Sequence, residues 1–400
     1  MPPPMLTGIG SDSEGEDEPG AGPAAGKDFM SQSGNFTASD FILSQSGTFK
    51  MADFQIRSEG GLTGITESPD NLHARPRELS YEIDTPQLDV QSISDLEMLD
   101  ELGSGASGTV FKARHVSTDT LVAVKCVTIL EKSKRDQVVS ELRIMMSHTL
   151  GSRWLVKMHN AFYEEAKVYT VLELMDAGSV EDLVKEHAPQ GGLKDEAELA
   201  RIAREILNGL NYLHRQRHQV HRDLKPGNVM RNSKGATKIA DFGISSQLES
   251  TGAFCQTFVG TTCYMSPERL AGEAYSYSAD IWALGLILLE LATGKYPYPK
   301  PDSYFQLLRE ILQKPAPSLP SGAFSADFHD VITLCLDKNP NLRPSAHDLL
   351  KHPWLREAEA SARSGDSSRY DRSDKEMDRS RSNRGRDMAE MLDSMKLGSQ

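Results

Sequence analysis

One string of charged and polar residues constrains this chain more than any other feature. It reads HRDLKPGN at positions 221–228, and ADFG follows at positions 240–243. Asp223 can accept a proton from a hydroxyl group, and Lys225 can neutralise charge on a phosphoryl group in transfer. We interpret His221 as a packed structural histidine rather than as a base or a ligand. Such a string predicts phosphoryl-transfer chemistry.

Four residues from separate parts of the chain fit the same chemistry. Asn228 and Asp241 carry oxygen ligands of the kind that hold magnesium ions. Lys125 ends the strand-like run VAVK, and Glu141 follows sixteen residues later within a helical run. A pair between this lysine and this glutamate would hold the ammonium against the phosphates of a nucleotide. Each charge taken alone is also compatible with an ordinary solvated surface.

A glycine-rich segment precedes these residues. Gly103, Gly105 and Gly108 form GxGxxG, a pattern that both dinucleotide and nucleotide folds use. In a dinucleotide fold a helix opens at the third glycine, but here Val110 and Phe111 lead a second strand. The segment therefore predicts a hairpin over phosphates, with an ordinary Gly-Ser turn as the alternative.

The chain divides into three segments by composition. Residues 1–94 carry 15 acidic and 5 basic side chains and no sustained period, which favours a mostly disordered acidic arm. Within it the segment SQSGNFTASDF, residues 31–41, is repeated as SQSGTFKMADF at residues 44–54. This repeat is either a duplicated recognition segment or accidental low complexity. Residues 95–356 are apolar-rich and predict one globular domain. Residues 357–400 predict a charged, disordered tail with a short amphipathic helix.

Charge and cysteine content exclude several classes of protein. The net charge of −13 lies mostly in the arm and argues against general nucleic-acid binding. The longest apolar run, Ile281–Gly294, is too short to span a bilayer and predicts a buried helix. The start shows no secretory signal, and the four cysteines show no metal-ligand spacing. We expect a cytoplasmic location, with the nucleus as a further compartment, and neither membrane nor nucleic acid as a partner.

Strand-like and helix-like runs are segregated along the central segment. Alternating runs such as LVAVKCV dominate the part that begins near Leu96, whereas apolar faces at helical spacing dominate after Gly178. This order predicts an α+β fold with a small, β-rich N-terminal lobe and a large, helical C-terminal lobe.

The order of the motifs resembles the protein kinase superfamily from about Leu96 to Leu355. The series is GSGASG, VAVK, Glu141, HRDLKPGN, DFG, SPE, Asp280 before IW, and Arg343 in NLRPS. The resemblance implies a bilobal kinase fold with ATP and Mg²⁺ as cofactors. A pseudokinase scaffold, which has a kinase fold but transfers no phosphate, is disfavoured because each of these motif residues is present.

The resemblance also implies a role for each matching residue. It implies catalytic roles for Lys125, Asp223, Lys225 and Asn228, and metal binding by Asn228 and Asp241. It implies ATP contacts by Leu102, Gly103, Ser104, Gly105, Ala106, Ser107, Gly108, Val110, Ala123, Lys125, Glu141, Leu172, Glu173, Met175 and Asp241. It implies structural roles for Thr261, Glu268, Asp280 and Arg343, with Glu268 and Arg343 as a buried pair and Asp280 as a brace of the catalytic loop.

The hinge lies in VLELMDAGS if the resemblance holds. Leu172 is then the gatekeeper, and Glu173 and Met175 offer backbone groups to adenine. We expect their side chains to matter less. A buried strand is the plainer interpretation of VLEL and is compatible with a hinge.

The stretch after DFG narrows the resemblance to the MAP kinase kinases. YMSPER, at Tyr264–Arg269, has the form of that family. It implies a dual-specificity enzyme that phosphorylates Thr and Tyr of a MAP kinase and is activated by an upstream kinase. A serine/threonine kinase with other substrates is the alternative. Ala253 occupies a phosphoacceptor position of animal members, whereas Thr251 and Thr257 match the spacing of plant-type members. We therefore expect a plant or algal relative with Thr251 and Thr257 as phosphosites.

Regulatory and docking segments are less defined. Arg222 is the expected receiver of an activation-loop phosphate. Candidate MAP kinase docking segments are His73–Leu79 and Arg379–Met395, and a scaffold is a further expected partner. Because the arm offers no catalytic group and little apolar area, we expect residues 1–66 to be dispensable for chemistry.

Overall fold

The fold is seen in a computed structural model. It describes residues 29–30, 36–38, 41–44, 48–51, 54–64, 88–105, 108–130, 134–135, 138, 141–142, 145, 152–241, 263–299 and 304–356.

The small lobe is built on a five-stranded antiparallel sheet. Its strands are β7 (Leu96–Gly105), β8 (Gly108–His115), β9 (Thr120–Thr128), β10 (Met158–Glu164) and β11 (Lys167–Glu173), in the spatial order β10-β11-β9-β8-β7. Residues alternate between the two faces of a strand. Val122 and Val124 of β9 therefore join a small cluster with Phe162, whereas Ala123 and Val127 join the main core. Both faces of this sheet are covered, which fixes the register of β9.

Helices dominate the large lobe. They are α1 (Val180–His187), α2 (Glu196–Asn211), α3 (Pro267–Leu270), α4 (Ser278–Thr293), α5 (Tyr304–Gln313), α6 (Ala326–Cys335) and α7 (Ala346–Leu349). A π-helix, Tyr212–Gln216, follows α2, and a short hairpin pairs β12 (Val229–Arg231) with β13 (Thr237–Ile239). The β-rich and helical lobes confirm the predicted α+β bilobal fold.

Helix boundaries follow from capping chemistry. The Asp195 carboxylate accepts hydrogen bonds from the backbone N–H groups of Ala197 and Glu198 and so begins α2. Gly294 ends α4 with φ of 72°, and a Cβ there would lie 2.8 Å from the Cα of Ala188. The apolar run predicted as a buried helix forms most of α4, which is buried from Ala279 to Leu289. In the part of the chain that is described, no helix has both the length and the hydropathy that crossing a bilayer requires.

A second sheet lies in the N-terminal arm. Six short antiparallel strands follow one another in sequence order: β1 (Phe29–Met30), β2 (Phe36–Ala38), β3 (Phe41–Ser44), β4 (Thr48–Met51), β5 (Phe54–Arg57) and β6 (Leu62–Gly64). Strands β5 and β6 lie against β10 of the small lobe. The expectation of a mostly disordered arm is therefore corrected for these strands, because their short alternating runs pair with one another. The predicted tail, 357–400, and the docking candidate at 73–79 lie outside the described residues.

Candidate active site

Two buried charges, Lys125 and Glu141, and the partly buried Asp241 meet where the two lobes join. Lys125 on β9 donates a hydrogen bond to Oε1 of Glu141 at 2.6 Å and another to Oδ1 of Asp241 at 2.9 Å. Lys125 is 3% exposed and Glu141 is 6% exposed. The structure thus brings together three residues that the sequence predicted as ATP-site residues from distant segments.

The neighbouring charges fix the ionisation of this group. Burial alone would lower the pKa of the Lys125 ammonium, but the carboxylates of Glu141 and Asp241 raise it above its ordinary value. Burial also opposes ionisation of Asp241, yet Lys125 and Lys225 lower the pKa of its carboxyl group. At neutral pH the site therefore contains an ammonium and a carboxylate, which suit phosphate and cation binding respectively.

The glycine-rich segment forms a strand hairpin. Gly105 pairs with Gly108 where β7 turns into β8, so no helix begins at the third glycine. Gly108 has φ of 119°, and a Cβ there would lie 2.5 Å from the carbonyl oxygen of Cys126. Space around Gly103 and Gly105 is open within 4 Å of an added Cβ. This hairpin can therefore bring backbone N–H groups close to phosphates, while Ala106 and Ser107 lie outside the described residues.

The catalytic loop is organised around Asp223. Lys225 Nζ donates to Asp223 Oδ2 at 2.9 Å, and Asn228 Nδ2 donates to the same oxygen at 2.9 Å and to the Asp223 carbonyl at 2.8 Å. These bonds orient the carboxylate of Asp223 as a hydrogen-bond acceptor. A group that accepts hydrogen bonds in this way is suited to receive a hydroxyl proton.

His221 packs under this loop as a structural residue. It is 0% exposed, and burial lowers its pKa, so the imidazole is neutral at physiological pH. Nε2 lies 3.1 Å from the carbonyl oxygen of Ala240, whereas Nδ1 accepts from the Asp223 N–H at 3.3 Å. The proton is therefore assigned to Nε2. This ring connects the catalytic loop to the residue before Asp241.

The carboxylate of Asp280, on α4, binds two backbone N–H groups of the catalytic loop. Its Oδ2 accepts from the N–H of His221 at 2.8 Å, and its Oδ1 accepts from the N–H of Arg222 at 3.1 Å. Arg222 has φ of 73°, a left-handed conformation that these bonds help to maintain. Burial opposes ionisation of Asp280, but hydrogen bonds from His214 and His221 lower the pKa of the carboxyl group. Asp280 thus supports Asp223 without contacting it.

Sequence reasoning missed His214. Its Nε2 lies 2.8 Å from Asp280 Oδ2, and its ring stacks on Tyr277 at 4.6 Å between centroids. His214 lies in the π-helix Tyr212–Gln216, and this local change of helix type places it beside Asp280. No spacing rule for an α-helix would have placed it there.

The predicted structural pair is formed deep in the large lobe. Arg343 Nη1 and Nη2 donate to Glu268 Oε1 and Oε2 at 2.7 and 2.8 Å. Both side chains are almost fully buried, at 0% and 2% exposed. The guanidinium also lies 5.1 Å from the ring centroid of Trp282 on α4. This two-point pair fixes the end of α3 against the core.

The hinge differs from the sequence expectation in one respect. Leu172 and Met175 are buried, and Leu172 pairs with Ala123 across β11 and β9, as an adenine pocket requires. Contrary to expectation, the side chain of Glu173 does matter: Lys238 Nζ donates to both of its carboxylate oxygens at 2.7 Å. Its Oε1 also accepts from the backbone N–H of Lys157 at 2.7 Å. Because Lys238 precedes Asp241 on the same segment, Glu173 links the hinge to the metal side of the site.

The residues present fit a magnesium ion. Both described hydrogen bonds of the Asn228 amide use Nδ2, so its oxygen remains a candidate ligand. Lys125 contacts Oδ1 of Asp241, and the pKa of this carboxyl group is lowered. Hard oxygen donors of this type are the ligands that Mg²⁺ prefers.

The activation segment lies largely outside the described residues. Thr251, Thr257 and Thr261 all fall in that part, so their contacts stay predictions. Arg222, the expected phosphate receiver, is described, and its guanidinium lies 5.9 Å from the ring centroid of Tyr275.

Comparison with known proteins agrees with this geometry. Residues 96–355 match the protein kinase domain family. Mitogen-activated protein kinase kinase 2 of Arabidopsis thaliana is 41% identical over 277 residues, which are 68% of this chain and 75% of that protein. Mitogen-activated protein kinase kinase 1c of Physcomitrium patens is 42% identical over 272 residues, 66% of this chain and 77% of that protein. Dual specificity mitogen-activated protein kinase kinase dSOR1 of Drosophila melanogaster is 38% identical over 294 residues, 67% and 72% respectively.

These similarities extend over most of the described site. The kinase-domain match runs from the first residue of β7 to Leu355, and the relatives come from plants and from an animal. The predicted superfamily, its ATP-dependent activity and its use of ATP and Mg²⁺ are confirmed. The chain belongs to the protein kinase family and, within it, to the mitogen-activated protein kinase kinases.

Proposed function

We propose that this protein transfers the γ-phosphoryl group of ATP to a threonine and a tyrosine in the activation loop of a MAP kinase. The observation that carries the proposal is the assembled site, in which Lys125 contacts both Glu141 and Asp241 while Lys225 and Asn228 orient Asp223. The family membership supports the choice of a MAP kinase as substrate.

Each residue has a distinct part in this chemistry. Asp223 accepts the proton of the attacking hydroxyl group at its carboxylate, and Lys225 offsets charge on the transferred group. Lys125, held by Glu141, binds the nucleotide phosphates, and the Gly103–Gly108 hairpin closes over them. Asn228 and Asp241 would hold Mg²⁺, which supplies neutralisation of phosphate charge when it is bound.

We also propose that an upstream kinase activates the protein at Thr251 and Thr257. Each phosphate adds about −1.5 to −2 charges and three acceptor oxygens. Arg222 is the proposed receiver, because its backbone is fixed by Asp280 directly beside Asp223. A phosphate on its guanidinium would therefore act one residue from the proton acceptor. Replacing both threonines with Ala should abolish activation by the upstream kinase, and full activity of that variant would contradict the assignment.

A panel of recombinant MAP kinases tests the substrate proposal. Each is made catalytically inactive, so that it cannot phosphorylate itself, and is incubated with the activated protein and ATP. Phosphosite mapping should find both threonine and tyrosine modified in one activation loop. An inactive Asp223→Asn variant is the matched control for contaminating kinases. Modification of serine or threonine outside activation loops, with no tyrosine product, would instead favour a serine/threonine kinase with other substrates.

Four finer expectations stay proposals. A plant or algal origin draws on the 41% identity to the Arabidopsis relative, but protein kinase wis1 of Schizosaccharomyces pombe is also 41% identical. A scaffold partner and docking through His73–Leu79 or Arg379–Met395 depend on residues that the structure does not describe. Cytoplasmic and nuclear location likewise remains a prediction from the sequence.

A further inference from the structure

The arm sheet has one apolar face. Apolar residues stand directly opposite one another across five adjacent strands, in the row Phe36, Leu43, Phe49, Ile56 and Leu62. The neighbouring row, on the other face, reads Thr37, Ile42, Lys50, Gln55 and Thr63 and is mainly polar. Because residues alternate between faces, this register separates apolar from polar positions across the sheet.

The duplicated SQSG segment explains this regular pattern. The second copy starts 13 residues after the first, and β5 (Phe54–Arg57) has the same offset from β3 (Phe41–Ser44). Phe36 of the first copy pairs with Leu43, two residues beyond its end, and Phe49 of the second copy pairs with Ile56, two residues beyond its end. Both copies therefore form the same hairpin in the same register, which is a structural use of the repeat.

Strands β5 and β6, which end the arm sheet, dock on the small lobe. Ile56 is 0% exposed and belongs to the main hydrophobic core. The N–H of Leu62 donates to Oδ1 of Asn160 on β10 at 2.9 Å. Gly61 is buried against that amide, and an added Cβ would lie within 2.6 Å of it. The burial of Ile56 and the close approach of Gly61 to Asn160 indicate a well-packed interface between the arm and the small lobe.

The segment that leads into the kinase domain completes the same interface. Asn160 Nδ2 donates to the carbonyl oxygen of Val90 at 2.8 Å. The N–H of Gly60 donates to the carbonyl oxygen of Gln91 at 2.7 Å. Asn160 therefore joins three segments: the arm, the approach to β7 and the edge strand β10.

The core that receives Ile56 also contains the helix of the ATP site. Val138 and Leu142 are helical residues close to Glu141 in the sequence, are 5% and 1% exposed, and belong with Ile56 to this core, which also extends into the large lobe. We propose that strands β5 and β6 are a positioning element for the ATP site, in which Ile56 completes this core and so holds Glu141 against Lys125. This role reverses the expectation that residues 1–66 are dispensable.

Matched core substitutions test the proposal. Ile56→Ala removes the apolar side chain that the arm adds to this core. Ile332→Ala is the matched control: it removes an equally buried isoleucine side chain from the same core, but in helix α6 of the large lobe, where Ile332 is 1% exposed. The full-length variants are compared by thermal unfolding, by affinity for a non-hydrolysable ATP analogue, and by hydrogen exchange of the amides at 134–145. If the competent position of the helix falls to one tenth of its population, Ile56→Ala weakens analogue binding about tenfold. Exchange at 134–145 should be faster in Ile56→Ala, whereas Ile332→Ala should lower the unfolding temperature without either change.

A milder series keeps the test decisive if Ile56→Ala does not fold. Ile56→Val should weaken analogue binding less, and Arg57→Ala, at an exposed neighbouring position, should leave it unchanged. Deleting residues 1–28 should leave the affinity for the ATP analogue unchanged, whereas deleting residues 1–64 should lower it. Analogue affinity and exchange within twofold of wild type in Ile56→Ala, or in Ile56→Val where only that variant folds, would overturn the proposal. Because these readouts need no protein substrate, their failure is distinct from failure of the proposed MAP kinase activity.

Discussion

The two halves of the active site are built by different means. Asp223, Lys225 and Asn228 lie within six residues of one another, and Asp280 fixes the backbone of their loop. Lys125 and Glu141, in contrast, come from a strand and a separate helix and meet through one hydrogen-bonded ion pair. The residues of the first half are close in sequence, and several hydrogen bonds hold their loop. The second half depends on where the helix lies, so regulation can act there without disturbing the proton acceptor.

The largest expected effect tests whether both halves are needed for turnover. Lys125→Met removes the partner of the phosphates, and Asp241→Asn removes a carboxylate whose charge the site maintains. Each should lower kcat/KM by about a thousandfold, a typical loss for a positioned electrostatic group. Steady-state kinetics at saturating Mg-ATP measures this loss, and circular dichroism checks that the variants stay folded. If either variant stayed folded and kept near-wild-type activity, the substituted residue would not be part of the active site.

The next effect tests the Glu173–Lys238 ion pair, which links the hinge to the segment that carries Asp241. Removing one partner of a buried ion pair costs about 3–5 kcal/mol, so Lys238→Met should destabilise the domain, because the Glu173 carboxylate loses the ammonium that contacts both of its oxygens. Adding Glu173→Gln should recover much of the loss, because the buried charge then disappears. Urea unfolding of both single variants and the double variant gives the coupling energy. If the loss of unfolding free energy in the double variant equals the sum of the two single losses, Glu173 and Lys238 have no coupling energy.

Much of the catalytic loop could be predicted because its information is local. Asp223, Lys225 and Asn228 stand in one string, and their mutual contacts follow from it. The Glu173–Lys238 link could not be predicted in this way, since 65 residues separate its partners and each residue type is usually exposed.

The arm shows a different limit of sequence reasoning. Its alternation of apolar and polar residues is real, but each strand has only two to four residues and the pattern restarts after every turn. A search for a sustained period therefore finds none. The signal for the sheet is the repeat itself, because the strand pairing near the first SQSG copy recurs 13 residues later near the second.

A smaller, pH-dependent effect tests the region where the arm meets the small lobe. His159 is 8% exposed, and its Nδ1 accepts a hydrogen bond from the N–H of Leu88 at 3.3 Å. Burial and nearby Lys157 lower the pKa of His159 from 6.5 to about 4. The unfolded chain therefore binds more protons between these values, so stability is full above pH 6.5 and falls as the pH drops towards 4. The integrated loss is about 3 kcal/mol.

Unfolding at a series of pH values measures this dependence. His159→Asn keeps a polar side chain but cannot titrate, so its stability should vary less between pH 6.5 and pH 4 than that of the wild type. Equal pH dependence of the two proteins would assign the effect to other groups.

The contrast between a braced loop and a movable ion pair is tested most directly by comparing Glu141→Gln with Asp280→Asn. Both changes replace a buried carboxylate with an amide of nearly the same shape. Steady-state kinetics with a peptide or MAP kinase substrate should show that Glu141→Gln chiefly raises KM for ATP, by about tenfold, because nucleotide binding is weakened. Asp280→Asn should chiefly lower kcat, by about a hundredfold, because the proton acceptor is mispositioned. A fall in kcat alone for both variants, or a rise in KM for ATP alone for both, would contradict the division of the site into these two halves.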